Sequence, residues 1–173
     1  MKKQTRIYNI LLPIWLLLAL PSPVWLLLVP GNLLVDCAVL FVCLLALKHA
    51  QKGAVVKKLW WKFWLLGFAA DAVGVAWMLL GWYVPFLTGQ MDTAFGAFWE
   101  DAMLSAHMLN PWTHPLTLVW SLAGAAVSGV CIYFFDKRAM RSCELLSDKE
   151  RRTVALTMAI VTAPWLFLIP TYL

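Results

Sequence analysis

Between Lys62 and Lys137 the chain contains no lysine and no arginine. Only 13% of all residues are charged. The net charge of +5 therefore does not describe a basic surface of the kind that binds nucleic acid. The basic residues fall into three groups instead. They are Lys2, Lys3 and Arg6; then Lys48, Lys52, Lys57, Lys58 and Lys62; then Lys137, Arg138, Arg141, Lys149, Arg151 and Arg152. Other absences narrow the chemistry. Cys37, Cys43, Cys131 and Cys143 form no CxxC pair, so they read as free, mostly apolar fillers. There is no HExxH, no GxSxG and no glycine-rich phosphate loop. Regular apolar–polar alternation is missing too, which excludes a membrane β-barrel.

What is present is apolar sequence. The hydrophobic fraction is 62%, and the mean hydropathy is +0.76. A soluble domain of 173 residues cannot hide that much apolar surface. The charges separate apolar runs of membrane-spanning length. The sequence therefore predicts an all-α, polytopic membrane bundle forming one integral-membrane domain over residues 1–173. Positive-inside asymmetry places the N-terminus, the 48–62 loop and the 136–152 loop in the cytoplasm. The long connection 85–115 carries Asp92, Glu100 and Asp101 and falls outside. The expected setting is the cell membrane, with the C-terminus outside. Anionic lipid headgroups account for the basic loops.

Five spans are expected, over approximately 6–29, 33–50, 62–84, 115–135 and 153–172. The N-terminus resembles a signal peptide, but no small-residue cleavage site follows, so it reads as an uncleaved first span. The first turn has two candidates. Pro21-Ser22-Pro23 would start span two at Val24 and leave Pro30 as a kink. Pro30-Gly31-Asn32 would kink span one at Pro21 and Pro23 and start span two at Leu33. The second is preferred, because Pro-Gly is the stronger turn pair and Asp36 then lies in a first helical turn. A re-entrant hairpin over 7–30 would put Lys48 to Lys62 outside, and the charge asymmetry opposes it. Trp60, Trp61 and Trp64 mark an inner aromatic belt, and Trp82 and Tyr83 an outer one. Residues 92–109 are expected to form an interfacial amphipathic helix. Ser121, Ala125 and Gly129, with Gly124 and Ser128, form small-residue stripes for helix packing within or between protomers. Ser147 is a plausible N-cap for the run starting at Asp148.

Asp71 is the leading site candidate. A carboxyl group in hydrocarbon needs a partner, a cation, water or a proton. It shares a helix face with Gly67, Ala70, Gly74 and Met78, which points it into the bundle. Pro164 should free the Ile160 carbonyl at similar depth, a ready acceptor for a protonated Asp71. Asp36 depends on the turn. After a Pro-Ser-Pro turn it would match Asp71 in depth, with Asn32 extending the polar stripe; after the Pro-Gly turn it is a helix-start residue. Glu100, Asp101 and His107 form a weaker outer-face set whose spacing is not that of a metal site. No cofactor or metal is expected. Three readings follow. The first is a transport-type membrane protein, or a membrane subunit of a transport complex, using Asp71 and Asp36 for protons or a small cation. The second is a membrane enzyme with an outer acid/His site. The third is a non-catalytic interaction subunit. So small a bundle would need a homo-oligomer or partner membrane subunits to pass a sizeable solute, through the stripe on span four.

Overall fold

The computed structural model describes Pro23, residues 25–103 and residues 110–170. Among these residues it is all-helical. Helices α1 (Trp25–Ala46), α2 (Lys52–Leu87), α3 (Ala94–Met103), α4 (Pro115–Ala139) and α5 (Asp148–Val161) follow in order. Short 3-10 turns cover Pro111–Thr113, Met140–Ser142 and Trp165–Leu168. Three helices are long and apolar enough to cross a membrane, namely α1, α2 and α4 with its 3-10 extension. Leu26, Leu27, Leu34 and Val42 of α1 and Val119, Val130 and Phe134 of α4 are exposed on the outside of the bundle. That surface suits lipid rather than water.

The expected turn at Pro30-Gly31-Asn32 is not there. Helix α1 runs through it, with Pro30 inside a 22-residue helix. In a bilayer an open turn would strand several backbone groups, whereas a proline in a helix strands one. A helix of 22 residues also spans about 33 Å, the thickness of the hydrocarbon. The indole of Trp64 in α2 donates to the Val29 carbonyl at 3.1 Å, just before the proline. The expected break between the spans at 6–29 and 33–50 is thereby absent, since one helix runs from Trp25 to Ala46, while most of the 6–29 span lies outside the described residues. The Pro21-Ser22-Pro23 alternative falls almost wholly outside the described residues.

Helix α2 begins ten residues earlier than the span expected from Lys62, and most of the predicted 48–59 loop is helix. Val55, Leu59 and Phe63 recur every fourth position and are fully buried, while Lys57 and Lys58 face away. That amphipathic period extends the helix beyond the apolar run. The span expected over 153–172, with a break at Pro164, is helix α5 from Asp148 to Val161, then the break and a 3-10 turn over Trp165–Leu168. Ser147 caps α5 in a capping box, its hydroxyl accepting from the Glu150 amide while the Glu150 carboxylate accepts from the Ser147 amide at 2.8 Å.

All described lysines and arginines gather at one end of the bundle. There His49, in the turn after α1, meets Glu150 of α5 at 2.9 Å. Lys62 donates to the Ser142 hydroxyl at 2.7 Å. A large apolar cluster packs behind this basic end, including Leu44, Leu59, Phe63, Met140 and Met158. A second cluster of Met78, Met103, Ala125 and Phe167, edged by tryptophans, packs towards the other end. Trp77 and Trp120 stack there at 4.7 Å, and each indole donates to the other residue's carbonyl at 3.2 Å. Helix α3 docks on this group, with the Trp99 indole donating to the Gly81 carbonyl at 2.7 Å. Its buried face is Gly96, Ala102 and Met103, whereas Phe95 and Phe98 are exposed.

The small-residue stripes of α4 are used inside the chain. Gly124 and Ser128 face α2, and Gly129 lies against Ala159 of α5. Of the two uses expected for this stripe, packing within the protomer is the one seen at these residues.

Hydrogen bonds from Ser147 and His49 hold the Glu150 carboxyl well below the usual range, down to about 2. A lowered acid stabilises the fold above its unfolded value, and that contribution fades as pH falls through the folded value. Glu150→Ala should therefore lower stability by about 1 kcal/mol at pH 7. Thermal unfolding of both proteins at pH 7 and at pH 3 checks this, and the gap should narrow at the lower pH.

Candidate functional site

Asp36 lies near the middle of α1, about 16 Å from Trp25 and about 15 Å from Ala46. It is 3% exposed. Asp71 lies near the middle of α2, where the two apolar clusters meet. The helices run antiparallel. Asn32 and Asp36 are one turn apart on α1, as Gly67 and Asp71 are on α2. A Cβ placed on Gly67 would sit 3.4 Å from Asp36 Oδ2 and 3.9 Å from Asn32 Nδ2. Both α1 side chains thus lean into the space that the glycine leaves open. Asp71 continues the same seam one turn along. Asp36, ranked lower in sequence as a helix-start residue, is instead a buried member of this seam, because α1 starts before Pro30.

Two carboxyl oxygens here, Asp36 Oδ2 and Asp71 Oδ1, are buried without a hydrogen-bond partner among the described residues. Such groups are costly in a low-dielectric interior. The Ile160 carbonyl does not serve Asp71. Pro164 removes its helical donor, but the Trp165 indole takes that place at 3.0 Å.

Asp71 also lines a cavity of about 330 Å³, together with Asn32, Phe68, Thr162, Pro164 and Trp165. Its wall is mostly apolar, and it opens beside the exposed side chains of Leu27, Trp165 and Ile169. The C-terminal end of α5 forms one side. Its dipole presents partial negative charge there, which favours a cation. Phe68 is fixed between Trp25, stacked at 6.1 Å, and Trp64, edge-on at 5.6 Å. The Ser128 hydroxyl donates to the Ala70 carbonyl at 2.9 Å, which ties the backbone next to Asp71 to α4.

The outer-face set is described only in part. Glu100 and Asp101 lie exposed on α3, and His107 lies outside the described residues. Among the described residues no group of three His, Cys, Asp or Glu side chains could hold a metal ion. One buried acid was missed in the sequence. Asp136, assigned to a basic loop, is 2% exposed and lies three residues before the end of α4. The spacing Ser121, Ala125, Ser128, Ile132, Asp136 was the available signal, since every member is buried. His49 was not singled out as a site residue either, and it meets Glu150 of α5 at the basic end.

No family model, curated protein or solved structure matches the chain. The reading of the site rests on its own geometry.

Gly67→Ala should be tolerated, because its Cβ would be in ordinary contact with Asp36. Gly67→Leu should displace Asp36 and Asn32, with a stability loss of about 1–3 kcal/mol from overpacking. Thermal unfolding of the two variants separates these outcomes, and equal losses would contradict the seam described.

Proposed function

We propose that this chain is a small multi-pass membrane protein of transport type, or the membrane subunit of a transport complex, in which Asp71 and Asp36 take up and release a proton or small cation. The observation that carries this reading is the pair of buried, unpartnered carboxyl oxygens on the α1–α2 seam, one of them on the wall of a cavity. A purely structural, protonated acid would direct its hydroxyl to an acceptor. For Asp71 the expected acceptor, the Ile160 carbonyl, already holds the Trp165 indole. Asn32 supplies both a donor and an acceptor beside the acids, so it can follow a change in their charge.

In this reading Asp71 is the group accessible from the cavity, and Asp36 is the deeper store behind Asn32. The basic end faces the cytoplasm of a cell membrane, in keeping with the collection of lysines and arginines there. The cavity opens on the lipid-facing side of the bundle, so a second copy or a partner membrane subunit would complete a path for anything larger than a proton. The outer-face enzyme reading has less support, because Glu100 and Asp101 lie exposed and apart from any cavity described.

The test is flux in proteoliposomes with a pH-sensitive dye inside. Asp71→Asn should lower proton-coupled flux by at least about a hundredfold, the scale for losing a positioned proton-transfer group. Asp36→Asn should also lower it, and Asp136→Asn should not. Full flux in the Asp36→Asn, Asp71→Asn double variant would remove both acids from the mechanism.

A further inference from the structure

At the basic end, α4 and α5 meet around a recess of about 300 Å³ lined by Lys137, Arg141, Asp148, Arg151 and Arg152. Every lining residue is charged, four of them positively. Two of the four cations are held by contacts within the chain. The Lys137 ammonium sits 5.3 Å from the centre of the Tyr133 ring and donates to its hydroxyl at 3.4 Å. Arg151 is held from two sides. One terminal nitrogen donates to the Cys143 carbonyl at 3.0 Å, and the other meets Asp148 at 3.1 Å. Its Nε is buried and has no partner among the described residues. Arg141 and Arg152 are exposed on the rim.

The single acid does not balance the recess. Asp148 is 88% exposed and engages Arg151 alone. Three cations are left facing one another across a small space, an arrangement that repels itself unless an anion bridges it. A bridging anion needs several acceptor oxygens, so that two guanidinium forks and one ammonium can each be satisfied. A phosphate group meets that requirement. The N-terminal end of α5, which begins at Asp148, adds a dipole of the favourable sign.

We propose that this recess is a binding site for a phosphate group, carried either by an anionic phospholipid or by a free phosphate. Its depth suits the lipid. Val130 and Phe134 of α4 are exposed apolar residues on the turns just before Lys137, so the recess begins where the lipid-facing surface ends. That is headgroup level, where each nearby cation strengthens attraction to an anionic leaflet. The site is separate from the acids of the α1–α2 seam and does not depend on their role.

The experiment is native mass spectrometry of the purified chain released from mixed micelles containing phosphatidylglycerol and phosphatidylcholine. The wild type should retain one phosphatidylglycerol in preference to phosphatidylcholine. The Arg141→Gln, Arg152→Gln double variant should lose that preference by about tenfold or more, with its unfolding temperature unchanged. A Lys57→Gln, Lys58→Gln control alters exposed cations on α2 and should retain it. If millimolar inorganic phosphate displaces the lipid and alone stabilises the wild type but not the double variant, free phosphate is the ligand. If phosphate has no effect and the lipid preference holds, the phospholipid is the ligand. Equal retention of the two lipids with no response to phosphate overturns the proposal. Equal loss in the control and in the double variant also overturns it, because binding would then be diffuse.

Discussion

The close approach of α2 and α4 at Gly74 is the constraint on which the rest of the bundle depends. A Cβ at that position would overlap the Ser128 hydroxyl and would reach within 2.9 Å of the Phe167 ring. Only because it is missing can Ser128 reach the Ala70 carbonyl and Phe167 enter between the helices. With Phe167 seated, the chain after Pro164 is drawn back across the bundle. The broken end of α5 then becomes a wall of the cavity beside Asp71. Dispersion and one hydrogen bond supply the attraction here, since apolar burial gives little drive between helices already in lipid.

Around that contact the two ends differ in how they are fastened. The basic end uses aliphatic packing with a polar fringe, in which His49, Glu150 and Ser147 join the α1–α2 turn to the start of α5. The other end uses indole groups that bond to backbone carbonyls, as Trp77, Trp99, Trp112 and Trp120 all do. An indole offers a large apolar face with a single donor at its edge, so it can bury area and satisfy a carbonyl at once. The polar seam of Asn32, Asp36 and Asp71 falls between these two regimes.

The helical class, the apolar crossings and the inward orientation of Asp71 were legible from composition, charge blocks and the glycines flanking that acid. The start of α1 was not. Pro30-Gly31-Asn32 carries strong turn chemistry, and that chemistry is calibrated in water. In a helix of membrane length the need to satisfy backbone groups internally outweighs it. The N-terminal turns of α2 were readable in principle from Val55, Leu59 and Phe63, but four lysines in the same stretch obscured the period. The pairing of Ile160 with Trp165 could not be foreseen, because it depends on how the chain turns after Pro164. Asp136 was hidden by its neighbours Lys137 and Arg138, although its register with Ile132 and Ser128 marks it as inward.

Helix α2 has 36 residues against 22 in α1 and 25 in α4. Standing upright it would measure about 54 Å, well beyond the roughly 30 Å of hydrocarbon. Its basic first turns must then project into water or the whole rod must lean. In either case Lys57 and Lys58 stand at the basic end and Asp71 near the midpoint of the rod. Hydrocarbon thickness therefore bears on how this helix is accommodated more than it does for α1 or α4.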